Sequence, residues 1–111
     1  MASDDDIVVY EHPNPHIKSF FIPDPISPPR VEIFRAPLPQ SSREKMKSLG
    51  NIGARVVQEL LDIPGIIEVR TRPREMLLKK DRAASWEDMV PQALKILQRA
   101  LRKQQIHLVR R

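Results

Sequence analysis

The stretch IIEVRTRPREMLLKKDRAASWEDMVPQALKILQRAL, residues 66–101, contains two different hydrophobic patterns. Its first half consists of two strand-like runs around Pro73-Arg74-Glu75, which predicts an antiparallel β-hairpin. From Trp86 onwards, apolar residues recur about every 3.6 positions, which predicts an amphipathic helix over 86–101. The succession of hairpin and helix favours a helix whose apolar stripe lies on a sheet.

The start of that helix is marked by two polar residues. Ser85 precedes the first apolar position and Asp88 follows three residues later, a spacing typical of a capping box. Trp86 is expected to pack in the core as the large ring of the first turn, rather than to stack on a ligand. Pro91 lies past the first turn, where it removes a backbone donor and is expected to bend the helix or loosen that turn.

A second helix is predicted upstream, over the stretch IGARVVQELLDI. Asn51 is expected to act as its N-cap, and Pro64 with Gly65 is expected to end it. The polar segment 41–50 before it is expected to form a short helix or a loop. The apolar residues that share one face of the predicted helix are Ile52, Val56, Leu60 and Ile63.

Three short runs of apolar and β-branched residues precede the helices, at 7–11, 16–22 and 30–35. Each is predicted to be a strand, and the third to be an edge strand because prolines bound it on both sides. Eight of the eleven prolines fall before residue 40, which confines this half of the chain to extended segments and turns. The predicted fold is α+β with two layers: a mostly antiparallel sheet of about four to six strands, and two main helices on one face.

The length of the chain predicts its organisation. Its 111 residues suffice for a single domain, predicted over 7–104, with a mobile tail at 1–6 and a basic tail or short strand at 105–111. The sequence has no apolar run long enough for a signal peptide or a membrane span. We therefore expect no membrane segment and a cytoplasmic location.

The composition argues against several kinds of chemistry. The chain has no cysteine, so it offers no disulfide, no thiolate nucleophile and no thiolate ligand for zinc or an iron–sulfur cluster. It also lacks a recognisable Ser/His/Asp order, phosphate-binding loop or metal-ligand quartet, so we expect no enzyme activity, no cofactor and no metal site. One alternative stays open: His12 and His16, with Glu11, could share a metal across the turn between them.

Positive charge is concentrated in the second half of the chain. Residues 1–50 carry six Lys or Arg against seven Asp or Glu, whereas the remaining residues carry thirteen against seven. Alternation along the predicted hairpin puts Arg70, Arg72 and one of Lys79 and Lys80 on the solvent face together. This cluster is the best candidate for a binding surface, since a basic surface attracts an acidic partner.

Nucleic acid is an alternative partner for the basic half of the chain. Its phosphates would contact the predicted hairpin and the basic residues near the chain end, which are Arg99, Arg102, Lys103 and Arg110. Binders of this kind combine cations with exposed aromatic side chains, whereas this chain has five aromatic residues, most of which we expect to be buried. We therefore favour a protein partner.

Three separated motifs occur in an order that resembles a known family. The residues that form them are Pro13, Asn14, Pro15, Phe20, Ile63, Pro64, Gly65, Ile66, Lys79, Lys80, Asp81, Trp86 and Pro91. Over about residues 9–102 the chain resembles the N-terminal domain of Nfu/NifU-type iron–sulfur scaffold proteins. One departure is that the family usually has a lysine directly before the phenylalanine, where this chain has Ser19, with Lys18 one place earlier.

The resemblance implies a non-catalytic, monomeric module that binds a protein partner and is accessory to iron–sulfur cluster assembly or delivery. That partner would be an assembly factor or a client protein. In the family a following domain with a Cys-x-x-Cys pair holds the cluster; such a pair is absent here, so any cluster would belong to a partner. The candidate interaction residues are Asn14, Lys18, Arg70, Arg72, Lys79 and Lys80. The structural signature residues are Pro13, Pro15, Phe20, Pro64, Gly65, Trp86 and Pro91.

Overall fold

The computed structural model describes residues 7–109, and their side chains as far as Lys103. The strands and α-helices in chain order are β1 (Val8–Glu11), β2 (Ile17–Phe21), β3 (Glu32–Arg35), α1 (Arg43–Lys47), α2 (Gly50–Leu61), β4 (Ile66–Arg72), β5 (Glu75–Lys80) and α3 (Trp86–Val109). The predicted tail at 1–6 and the last two residues lie outside the described part of the chain. Division into tail, domain and basic end stays a prediction.

The five strands form one antiparallel sheet in the order β1-β2-β5-β4-β3. The predicted hairpin, β4 with β5, supplies the centre of this sheet. The third predicted strand, β3, lies at one edge, next to β4. The α+β class, the antiparallel pairing and the number of strands are therefore confirmed.

One face of the sheet is covered by α2 and α3. The apolar sheet residues that are fully buried on this face are Phe20, Phe34, Val69, Met76 and Leu78. They form a single apolar cluster with residues of the two helices, among them Val57, Leu60, Ala93 and Leu97. This burial is the main stabilising contribution to the fold. The helices lie on one face, as predicted, and no described helix covers the other.

The start of α3 confirms the predicted cap. The Ser85 hydroxyl accepts a hydrogen bond from the Glu87 backbone N–H at 3.3 Å. For residues 105–111 the sequence predicts a basic tail or a short strand. The backbone of 105–109 instead continues the helix α3. Arg102, Lys103, Gln104 and Gln105 are good helix formers, and no glycine or proline follows them to end the helix. Within residues 7–109, no helix combines the length and apolarity needed to cross a membrane.

The prediction that Asn51 caps α2 is wrong. The helix begins at Gly50, so Asn51 lies inside its first turn, and Leu49 occupies the N-cap position without a side-chain hydrogen bond. Leu49 is buried in the core. Packing of Leu49 therefore decides where the helix starts, and it overrides the preference of asparagine for a cap. The polar segment before it forms α1, one of the two forms predicted.

Gly65 lies where the turn after α2 meets the start of α3. Its φ is +98°, in the left-handed region that favours glycine. A Cβ at this position would lie 2.5 Å from the Ala84 Cβ and 3.1 Å from the Met89 Cε. The Gly65 carbonyl accepts a hydrogen bond from the Asp81 N–H at 2.8 Å. Gly65 thus allows the two segments to approach closely.

Gly65→Ala is expected to destabilise the fold more than Gly50→Ala. Gly50 also has a positive φ, +81°, but nothing lies within 4 Å of a Cβ built there. Backbone strain costs about 1 kcal/mol at either position, whereas crowding adds about 1–3 kcal/mol at Gly65 alone. Urea unfolding followed by circular dichroism measures both losses. Equal losses from the two variants would contradict the close approach at Gly65.

Candidate functional site

The sheet face away from the helices, here called the open face, carries side chains from all five strands. Strand register aligns one row of residues across it: Tyr10, Ser19, Leu77, Arg70 and Ile33. Paired residues on neighbouring antiparallel strands point to the same face, so these side chains lie side by side. The row therefore runs from the aromatic Tyr10 on the edge strand β1 to the basic Arg70 on β4 and the aliphatic Ile33 on the edge strand β3.

The open face concentrates the exposed apolar side chains of the described residues. Val8 is 58% exposed, Tyr10 53% and Phe21 41%, and strand pairing puts all three on this face. Of the other exposed large apolar residues, Val31 directly precedes β3 and Ile67 lies at the bulge in β4. The ring centroids of Tyr10 and Phe21 are 6.4 Å apart. The apolar surface at the β1–β2 edge is therefore a patch and not a set of scattered residues.

The expectation that most aromatic residues are buried is wrong. Phe20 and Phe34 are buried, Trp86 is half-buried, and Tyr10 and Phe21 are exposed. Adjacent residues in a strand point to opposite faces, so Phe20 and Phe21 cannot both face the core. Because the helices cover one face of the sheet, Phe21 remains in contact with solvent.

The predicted basic cluster is divided between the two faces of the hairpin. Arg70, Arg72 and Lys79 lie on the open face, which confirms that the two arginines share it with one lysine. Lys80 lies on the helix side, where it is buried and its Nζ donates to the Asp81 carbonyl at 3.3 Å. This placement favours a structural role for Lys80 over an interaction role.

Two carboxylates neutralise part of the positive charge on the open face. Glu68 accepts a hydrogen bond from the Arg35 Nε at 2.9 Å. Glu75 has a carboxylate oxygen 3.6 Å from the Arg72 Nη1. Both pairs are partly exposed to water, where an ion pair contributes little stability. Their effect is to occupy two of the arginines of this face.

Arg70 differs from these two arginines because no described residue pairs with its guanidinium. Its Nε is buried and makes no hydrogen bond. Its cross-strand neighbours, Ile33 and Leu77, are both apolar, and Arg72 and Glu75 complete a shallow notch around it. A charged donor with unused hydrogen-bonding capacity thus lies in partly apolar surroundings.

The Pro-Asn-Pro turn between β1 and β2 is closed by its own side chains. The Asn14 Oδ1 accepts a hydrogen bond from the His16 N–H at 2.9 Å, and the Asn14 N–H donates to the His12 Nδ1 at 3.1 Å. Asn14 therefore builds the turn, and its contact with a partner stays a prediction. In the part of the chain that is described, the histidines belong to no group of three potential metal ligands.

Trp86 joins this turn to the start of α3 through a side-chain hydrogen bond. Its indole Nε1–H donates to the Pro15 carbonyl at 2.8 Å. The ring packs against the core cluster, as expected, but it is half-buried and lies at the border of the core. As the first residue of α3, Trp86 lies at the margin of the sheet, where water reaches one side of the ring and its polar edge finds a partner in the turn.

Lys18 lies on the helix side of β2, as does Phe20, whereas Ser19 takes the open-face position between them. The Lys18 side chain is 13% exposed, and its Nζ is 3.2 Å from a Glu11 carboxylate oxygen. The same Nζ lies 5.6 Å from the centre of the Trp86 ring. These contacts hold strand, turn and helix together, which favours a structural role for Lys18 over the predicted interaction role.

The basic residues of α3 do not join the open face. The Arg99 Nη1 is 3.0 Å from the Glu59 Oε2 of α2, which places Arg99 in the helix layer. Lys103 follows on the same helix, and Arg110 lies outside the described residues. The hairpin and α3 cations therefore do not form the single surface that the nucleic-acid alternative combines.

The fold of this chain is similar to that of proteins with solved structures. No family model and no curated protein matches the sequence. The solution structure of a NifU-like protein from Saccharomyces cerevisiae matches with a TM-score of 0.63 at 16% identity, over 87% of this chain and 78% of that one. The chain shares the fold of this NifU-like protein.

A second structure supports the same fold. The crystal structure of protein SAV1430 from Staphylococcus aureus matches with a TM-score of 0.62 at 13% identity, over 83% of this chain and 98% of that one. Identities this low show a common fold and no more. The resemblance found in the sequence motifs is thus confirmed for the NifU-like fold, and the roles of individual residues depend on the geometry of this chain.

Trp86→Phe is expected to destabilise this NifU-like fold by about 1 kcal/mol, because the Pro15 carbonyl loses its indole donor while most of the ring packing remains. Lys18→Met keeps that hydrogen bond and removes the ammonium from the ring, so its cost is expected to be smaller, about 0.5 kcal/mol. Thermal unfolding followed by circular dichroism compares the two variants with the wild type. A Trp86→Phe variant as stable as the wild type would contradict a stabilising role for the hydrogen bond between the indole and the Pro15 carbonyl.

Proposed function

We propose that this chain is a non-catalytic module that binds another protein through its open face. The observation that carries the proposal is the exposed apolar patch of Val8, Tyr10 and Phe21 on the same face as the unpaired Arg70. Contiguous exposed apolar patches are features of interaction sites. Aromatic residues and arginine are also enriched where interfaces concentrate their binding free energy.

The two edges of the sheet differ in a way that supports docking at β1. Among the described strands β1 pairs with β2 alone, so one side of its backbone presents donors and acceptors without strand partners. At the opposite edge, the Lys45 Nζ donates to the Ile33 carbonyl of β3 at 2.9 Å, and prolines follow that strand closely. A partner would therefore find an apolar and accessible edge at β1.

We further propose that the partner belongs to iron–sulfur cluster assembly, as an assembly factor or a client protein. The support for this is the motif resemblance together with the NifU-like fold. Because a fold alone does not determine function, this part of the proposal is an analogy. The chain has no cysteine, so any cluster in the complex would be carried by the partner.

We expect no catalysis at the open face. Ser19 is the hydroxyl at its centre, and its direct cross-strand neighbours, Tyr10 and Leu77, include no carboxylate or imidazole that could activate it. A monomeric state and a cytoplasmic location accompany the proposal as predictions.

Single-stranded nucleic acid is a second candidate for the same face. It is favoured by the exposure of Tyr10 and Phe21 on a sheet that also presents Arg70, since bases stack on aromatic side chains displayed in this way. One feature favours a protein instead. The two rings meet at 77°, so they do not offer parallel platforms on which bases could stack.

Replacing Val8 and Tyr10 together by serine is expected to abolish partner capture without unfolding the chain. Both side chains are mostly exposed, and such surface substitutions change stability by about 0.5 kcal/mol or less. Tagged wild type, the double variant and a Lys95→Ser control in the helix layer are each incubated with an extract of the source cells. We expect wild type and control to retain iron–sulfur assembly proteins or their clients, and the double variant to lose them.

Each part of the proposal can fail separately in this experiment. Equal retention by the double variant and the wild type would contradict docking at the open face. Retention of RNA-bound proteins alone, lost after nuclease treatment, would favour the nucleic-acid candidate. If the wild type retained only proteins unrelated to iron–sulfur clusters and the double variant lost them, the proposed iron–sulfur partner would be contradicted. The docking role of the open face would still be supported.

A further inference from the structure

We infer that Arg70 gives the open face its specificity, by binding the side-chain carboxylate of an acidic residue in an extended segment of the partner. This inference rests on the proposed docking function and adds the chemistry of the partner. The segment would carry an acidic residue for Arg70 and, at a defined spacing, an apolar residue for the patch around Tyr10.

The guanidinium of Arg70 has hydrogen-bonding capacity that the described residues leave unused. Its Nε is buried without a partner, and its Nη atoms make no hydrogen bond or ion pair with described residues. Arg35 and Arg72 of the same face are instead paired with Glu68 and Glu75. An incoming carboxylate would therefore gain hydrogen bonds at Arg70 without breaking an existing ion pair.

The surroundings of Arg70 would strengthen this contact. Ile33 and Leu77 flank it on the neighbouring strands, so a docked segment would exclude water from both sides. A charge-assisted hydrogen bond is roughly twice as strong as a neutral one, and it strengthens as the local dielectric falls. Because the Nε edge is buried, the carboxylate would meet the two terminal Nη atoms end-on.

The charge distribution of the open face favours an acidic partner at this end. Its β3, β4 and β5 positions present four cations and two carboxylates, which are Arg35, Arg70, Arg72 and Lys79 with Glu68 and Glu75. The β1–β2 side is apolar at Val8, Tyr10 and Phe21. A segment that is acidic at one end and apolar at the other complements this distribution.

Strand register sets the distance between the two contacts. Tyr10 and Arg70 lie in one row, three strand spacings apart. Neighbouring strands are about 4.8 Å apart, which separates the two positions by about 14 Å. An extended segment that crosses the strands advances about 3.3 Å per residue, so its acidic and apolar residues are expected about four positions apart.

A displayed library of random dodecapeptides, selected on the wild-type protein, tests this inference. The selected peptides are expected to contain Asp or Glu about four positions from an aliphatic or aromatic residue. Arg70→Gln is expected to weaken binding of a selected peptide by about tenfold or more. Arg43→Gln removes the same charge from an exposed position in α1, and it is expected to leave the affinity nearly unchanged.

A second measurement changes the peptide, so its effect on the wild-type protein does not depend on the folding of a variant. Changing the acidic residue of a selected peptide to its amide is expected to weaken binding as much as Arg70→Gln does. The same peptide change should have little further effect on the Arg70→Gln protein, because the two changes remove one interaction.

The outcomes separate this inference from the docking function on which it rests. The carboxylate contact would be overturned if the selected peptides had no acidic residue, or if neither Arg70→Gln nor the amide change in the peptide weakened binding. In that case, weaker binding to the Val8→Ser, Tyr10→Ser variant would still support docking. A library without binders, or equal binding by that variant, would contradict the docking function itself. If no peptide were selected but a single-stranded oligonucleotide bound, the open face would be assigned to nucleic acid. That result would overturn both the carboxylate contact and the docking of a protein.

Discussion

The structure depends on one constraint: α2 and α3 pack on the same face of a five-stranded sheet. Every strand alternates its side chains between the two faces, so the residues that build the core fix the positions of those that do not. The Phe20–Phe21 pair illustrates this, because burial of the first ring directs the second into solvent. The open face is therefore a consequence of how the core forms, and its row of side chains is held in place by the pairing of all five strands.

The residues shared with the Nfu/NifU motifs stabilise junctions in this arrangement. Gly65 permits the close approach of the turn after α2 to α3, and Trp86 fastens the Pro-Asn-Pro turn through the Pro15 carbonyl. The open face, by contrast, carries the departure from the motif, since Ser19 stands where the family usually has a lysine. These motif residues thus lie at structural junctions, whereas the proposed contact of Arg70 with a partner depends on a side chain outside the motifs.

Local patterns in the sequence predict most of the fold and only part of the candidate site. Alternation predicts the hairpin and the face shared by Arg70, Arg72 and Lys79, because both depend on neighbours in the chain. The wrong cap at Asn51 reflects packing of a neighbouring residue that no local pattern reveals. The isolation of Arg70 depends on the pairing of β4 with β3, a contact between distant parts of the chain. Exposure at the β1–β2 edge likewise requires knowing which face the helices cover.

Site-specific photocrosslinking in the source cells tests the central claim, that the open face is where this chain contacts its partner. A photoreactive p-benzoylphenylalanine is placed at Phe21 on the open face and, in a matched variant, at the exposed Lys95 of the helix layer. Illumination is expected to yield a protein adduct from position 21 and none from position 95. Adducts from position 95 alone, or adducts from position 21 with nucleic acid or a second copy of this chain, would contradict it.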